Sequence, residues 1–280
     1  MDNTLSTISA MLHQEETGYA TSDYLSQQQV PLHLCAVDVD CRDKMAAWCY
    51  QVVDFCKFNR ETVSIAMNYL DRYLMTAPSA MYDRKVFQLA AMTCLYTAVK
   101  VHEPEAMDPQ LVAKLSRGTY TPREVERMES DILTRLQWRV NMPTALSFVR
   151  LFLELVPSEV LDQDLKDAAY DLTKCQTELA VNDYGLITTK ASVVAYCSLL
   201  NSFGSLGLSN EDISCTIATL EAALNISTAD ASIANVQDRL FEAIVSQEPA
   251  TMVHKESTPS RTRKPTRRGS VETSPRAVSA

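Results

Sequence analysis

The chain has 280 residues, enough to bury one large or two small cores, and only six of them are glycine, against plentiful alanine, leucine, methionine and glutamate. So little glycine leaves repeated tight turns, strand-like alternation and phosphate-cradling loops poorly supplied, which points to an all-α protein. The net charge of −9 is unevenly divided: residues 250–280 hold seven Lys/Arg against Glu256 and Glu272, a net of +5, so residues 1–249 carry −14, an acidic body unsuited to nucleic acid.

Residues 1–39 read as a polar leader with one weak amphipathic pattern, Leu5, Ile8, Met11 and Leu12, followed by Tyr19 and Tyr24-Leu25. A first helix is predicted over about 41–57, with Met45, Trp48, Cys49, Val52 and Cys56 on one stripe. Asn59 precedes a second, about 60–75, whose stripe is Val63, Ala66, Met67, Leu70 and Leu74. Asp83 opens a third that ends before Pro104. Between Lys85 and Lys100 it carries no charge and only Gln88, Thr93 and Thr97 as plainly polar residues. A helix apolar on every side belongs inside a cluster of other helices. This one is too short for a bilayer, which needs roughly 20 apolar residues. Asp108-Pro109 starts a short fourth helix that stops near Gly118, and Thr121-Pro122-Arg123-Glu124 is a capping box that launches a fifth, about 122–136.

Helical patterns then recur over about 144–155, 159–180, 188–203, 210–218 and 228–246, the middle one again opened by a basic residue, Lys190. The organisation is a duplication: two five-helix bundles, 40–138 and 139–248, each built around its third helix. Residues 249–280 lose their apolar positions and are predicted to be a disordered, basic Ser/Thr/Pro tail. The eight cysteines show no C-x-x-C pair, and the four histidines lie far apart. With no secretory signal, they read as reduced thiols in a nuclear or cytoplasmic protein without a metal or cofactor.

The informative residues are charges that fall on apolar stripes. Arg42 lies on the face of Met45, Asp71 between Met67 and Leu74, and Glu129 between Val125 and Ile132 with no cation at helical spacing. A buried charge needs a partner. Arg42 and Asp71 are expected to pair between the first two helices, a structural role. Lys100 and Glu129 have no obvious mate within their own helices. They either pair with one another or flank an apolar surface and await hydrogen-bonding groups on another protein.

This set resembles the cyclin box. Arg42, Asp71 within Ala66-Met67-Asn68-Tyr69-Leu70-Asp71-Arg72-Tyr73-Leu74, Leu89, Lys100 and Glu129 match the family's five hallmark positions in type and spacing. The leader from Glu15-Glu16 through Tyr19 and Tyr24-Leu25 to Gln29 is similar to the approach to the box in D-type cyclins. The resemblance covers residues 10–155 by residue type and 156–246 by helix pattern.

It implies tandem cyclin-box folds that bind and activate a cyclin-dependent protein kinase, in cell-cycle control of the G1/S, D-type-like kind. Lys100, Glu129, Leu89 and Glu103 would then face the kinase, and no catalysis would occur on this chain. A docking patch for kinase substrates or inhibitors would comprise Cys41, Met45, Trp48 and Gln51, although Lys44 stands where the family has an apolar residue. In the tail, Thr258, Ser270 and Ser274 are candidate phosphorylation sites, and the basic run Arg261–Arg268 reads as a nuclear import signal. The rival readings are a nutrient-signalling cyclin and a cyclin-fold transcription factor of the IIB type. The acidic body speaks against the latter. An α-solenoid needs more than two repeats, and no partner nucleic acid or membrane is expected.

Overall fold

Short polar side chains set where the helices begin. Asp38, Asp83, Asp108, Thr121, Thr144 and Asp162 each precede a helix and accept a hydrogen bond from a backbone N–H of its first turn. The reciprocal box is complete at Thr121, where the Glu124 carboxylate takes the Thr121 N–H at 2.7 Å. Asn59 does the same for its neighbour, accepting from the Glu61 N–H at 2.9 Å.

The protein, a computed structural model, is described over residues 2–26, 37–224 and 230–252. Those residues form eleven α-helices: α1 (Asp2–Thr17), α2 (Val39–Cys56), α3 (Glu61–Thr76), α4 (Arg84–His102), α5 (Pro109–Leu115), α6 (Pro122–Arg135), α7 (Ala145–Leu155), α8 (Gln163–Asn182), α9 (Ala191–Ser205), α10 (Asn210–Leu224) and α11 (Ala231–Met252). No strand occurs among them, and none of the helices is long and apolar enough to cross a membrane.

The architecture is all-α, as expected from the composition. Helix α4 packs on α2, α3, α5 and α6, and α9 packs on α7, α8, α10 and α11, so each five-helix set surrounds its own third member. Every residue of α4 from Ala90 to Val99 is buried, which is where its uncharged run puts the apolar surface. Two hydrophobic cores result, one around Tyr69, Leu70, Met92 and Leu95, the other around Phe148, Phe152, Tyr196 and Phe203.

Some boundaries differ from expectation. Helix α8 starts at Gln163 rather than near 159, because Asp162 supplies the cap and residues 158–160 form a turn. Helices α10 and α11 run on to Leu224 and Met252, beyond the predicted ends at 218 and 246.

The weak amphipathic pattern of the leader becomes a helix docked on the body. It forms a single sixteen-residue helix, and Ile8, 1% exposed, enters the second core and not the first. The last turn of α1 also reaches the start of α9. The Glu15 carboxylate accepts from the Ser192 N–H at 3.1 Å and from its hydroxyl, while Glu16 takes the Lys190 ammonium at 2.7 Å. An acid from one helix thus caps another far along the chain, where α9's own N-cap residue, Lys190, provides no cap.

Candidate functional site

Arg42 on α2 is 4% exposed and Asp71 on α3 is 3% exposed. They form a two-pronged pair, Arg42 Nε to Asp71 Oδ1 and Nη2 to Oδ2, both at 2.9 Å. A third donor, Nη1, reaches the Val181 carbonyl of α8 at 2.9 Å, so the pair also ties the two bundles. Tyr24 of the leader donates to Asp71 at 3.0 Å. Burial works against the Arg42 charge, but Asp71 more than offsets it and the guanidinium pKa lies above its ordinary value. Burial first, and then the Asp71 charge, hold the Tyr24 hydroxyl firmly protonated. The expected Arg42–Asp71 pairing is therefore present, with two members the sequence did not announce.

Lys100 ends α4 and Glu129 lies in the middle of α6. The Lys100 ammonium sits 3.1 and 3.2 Å from the two Glu129 oxygens and 5.5 Å from the centre of the Tyr96 ring. Of the two alternatives left open by the sequence, the structure takes the mutual pair. It lies at the surface: the lysine side chain is 50% exposed and the glutamate 11%. The hydrogen bond that Lys100 donates to Glu129 is the main reason the Lys100 pKa lies above its usual value. Leu89, earlier on α4, is half-buried against the first core.

Glu103 points elsewhere. Its carboxylate accepts from the Asn59 N–H at 2.9 Å and from the Thr62 hydroxyl, so it secures the start of α3 and has no bond to Lys100. The flanking surface is also less apolar than expected. Beside Lys100 only Val101, 44% exposed, is a large exposed hydrophobe on α4, since the rest of that run is core. Sequence reasoning passed over Trp138, 70% exposed just past α6, and Phe55, 81% exposed at the end of α2. Trp138 follows the apolar stripe of α6 without being part of it, and Gln137 and Trp138 both adopt left-handed backbone (φ 53° and 57°) that turns the chain out of the helix.

On α2 the other candidate residues divide. Met45 is 8% exposed, Cys41 and Trp48 are half-buried against the first core, and Gln51 is exposed. Lys44 does not lie over this surface as an apolar stem: its ammonium bonds Asp40 one turn back, in open solvent. Thr258, Ser270, Ser274 and the basic run lie outside the described residues, as does Cys35. Cys49, Cys56, Cys94, Cys175, Cys197 and Cys215 are free thiols, and burial pushes Cys49 up to about 12. Among the described residues no group of three His, Cys, Asp or Glu side chains could hold a metal ion.

Comparison with known proteins places this geometry. The sequence model for "Cyclin, N-terminal domain" matches residues 6–141, which run from within α1 to past α6 and hold Arg42, Asp71, Leu89, Lys100, Glu103 and Glu129 as well as the candidate residues of α2. The chain is 26% identical over 207 residues to G1/S-specific cyclin-D1 of Xenopus laevis, covering 73% of this chain and 67% of that protein. It is 28% identical over 177 residues to Cyclin-A1-2 of Arabidopsis thaliana, covering 62% of this chain and 37% of the relative. The chain thus spans between about a third and two thirds of the length of these curated relatives. Among solved structures, a viral cyclin from herpesvirus saimiri superposes with a TM-score of 0.67 over 86% of this chain and 97% of its own, at 20% identity, a likeness of fold.

Proposed function

This chain belongs to the cyclin family, and we propose that it is the regulatory subunit of a cyclin-dependent serine/threonine kinase, which it binds and activates. The observation that carries the reading is the Lys100–Glu129 pair, with its lysine half-exposed and its glutamate mostly buried, held where α4 ends beside the middle of α6. An ammonium has three donors and each carboxylate oxygen has two lone pairs, so a pair bonded twice within itself keeps a donor and several acceptors for main-chain groups of a partner. Leu89 supports the helix that presents Lys100, and Val101 adds exposed apolar area on α4, with Trp138 exposed just past the end of α6. Glu103 serves this surface indirectly, by fixing the start of α3 against the end of α4.

Activation is a population shift. A subunit that prefers the kinase's active arrangement draws the kinase into it by differential affinity. In that arrangement the kinase's regulatory helix swings in and its glutamate pairs with the strand lysine. The chemistry stays on the kinase. We extend the reading to a D-type-like role at G1/S, supported by the leader from Glu15 to Tyr24, and to docking of substrates or inhibitors on Cys41, Met45, Trp48 and Gln51.

The test is titration calorimetry of Lys100→Ala against the kinase that co-purifies with the intact chain. Loss of one charge-assisted hydrogen bond should weaken binding by about 1.5–3 kcal/mol, with the fold intact. Unchanged affinity would refute the assignment. For localisation we propose nucleus and cytoplasm, with import driven by the basic run of the tail. Deleting residues 250–280 is expected to shift the chain to the cytoplasm under fluorescence microscopy, and an unaltered distribution removes that role.

A further inference from the structure

Between the two bundles, beneath residues 15–21 of the leader, lies a cavity of about 340 Å³ that none of the roles above uses. Small-molecule pockets occupy roughly 300–1,000 Å³. Its floor is apolar, with Met67, Leu146 and Val194 2%, 5% and 6% exposed. Small residues from four segments line it: Ala20 from the leader, Ala145 from α7, Ala180 from α8 and Ala191 from α9.

The charged groups on its walls are already matched within the chain. Arg42 holds Asp71, Arg60 holds Glu178 at 2.8 Å, Arg150 holds Glu61 at 2.7 Å, and Lys190 holds Glu16. Glu15 is satisfied by Ser192. A charged ligand would have to break one of these pairs and also leave water, a double loss. A neutral apolar molecule breaks none of them and covers apolar wall that otherwise faces water.

We propose that this cavity binds a neutral, largely apolar small molecule, a compact ring system in size. Its walls come from the leader, the first bundle and the second bundle, so the bound molecule fastens all three together. It binds only where they are assembled, and so raises the temperature at which they separate.

The experiment titrates the full chain with indole, and separately with the anionic indole-2-carboxylate, while following methionine ¹³C-methyl signals by NMR. Met67 and Met142 line the cavity, whereas Met45 and Met92 lie in the first core away from it. Indole is expected to shift Met67 and Met142 saturably and leave Met45 and Met92 in place, with the carboxylate doing neither. Ala180→Phe, which fills the cavity, should lower indole affinity about tenfold or more. Overpacking can unfold such a variant, so Ala145→Leu is the second filling, and the wild-type titration decides if neither folds. The inference is overturned if Met67 and Met142 show no saturable shift, if the shifts survive a filling in a folded variant, or if indole-2-carboxylate binds equally well.

Discussion

Arg42 is buried with five donors to satisfy, and three of them are accounted for by Asp71 and the Val181 carbonyl. Removing it leaves the Asp71 carboxylate in the interior with only Tyr24 and takes away a tie to α8. Arg42→Ala should therefore lower unfolding free energy by about 3–5 kcal/mol, the range for breaking a buried pair. Urea denaturation checks this, and an unmoved midpoint would show the pair to be unimportant for the fold. The pair could be read from the sequence because both charges interrupt apolar stripes at helical spacing. Tyr24 could not, since it reaches Asp71 from 47 residues away through a leader with little periodicity. Lys100 and Glu129 were recognisable as misplaced charges, yet only the packing of α4 on α6 decides that they meet. Glu103 carried no stripe to read, and its bonds to Asn59 and Thr62 arise from how α4 ends beside α3.

At the scale of elements, the helices that announce themselves by caps and long apolar runs lie where they were expected, and the leader shows where that reasoning stops. Its stripe of Leu5, Ile8, Met11 and Leu12 gives a helix but not its destination, because a stripe says nothing about which surface covers it. Docking of α1 on α7 and α9 leaves Glu15 6% exposed. Burial raises its pKa above 4.5, and the Ser192 hydrogen bonds oppose the rise without cancelling it. A carboxyl group whose folded pKa exceeds its unfolded one binds its proton more tightly in the folded state. Through this group alone, stability increases as pH falls through the folded pKa and levels off below the ordinary value. Glu15→Gln removes that dependence, so relative to wild type the variant should gain more at pH 7 than at pH 4. Urea denaturation at both values measures the difference, and an equal effect at the two would contradict the assignment.

Across the whole molecule, the two bundles are joined by more than their linker. Arg42 to Val181, Arg60 to Glu178 and Arg150 to Glu61 all cross between them, as does the Tyr50 hydroxyl to the Glu178 carbonyl at 3.3 Å. Tyr184 binds Asp23 of the leader at 2.8 Å and packs edge-on to Tyr24. So many shared bonds predict one calorimetric unfolding transition with matching calorimetric and van't Hoff enthalpies. Two resolved peaks would show that the bundles melt separately. The rhythm of helices is legible in the sequence, but these cross-links are not, because they join residues more than eighty positions apart.

The seat of α1 has a consequence for how the protein is made. The ribosome delivers this helix before α7 and α9, so the surface of α7 and Ser192 that cover it come much later. At about 5–20 residues per second, the interval is roughly ten to forty seconds. For that time Ile8 and Met11 stand uncovered on the nascent chain, which gives a chaperone its opportunity before α7 and α9 emerge. Helix α1 is then the closing clasp of folding and not its seed.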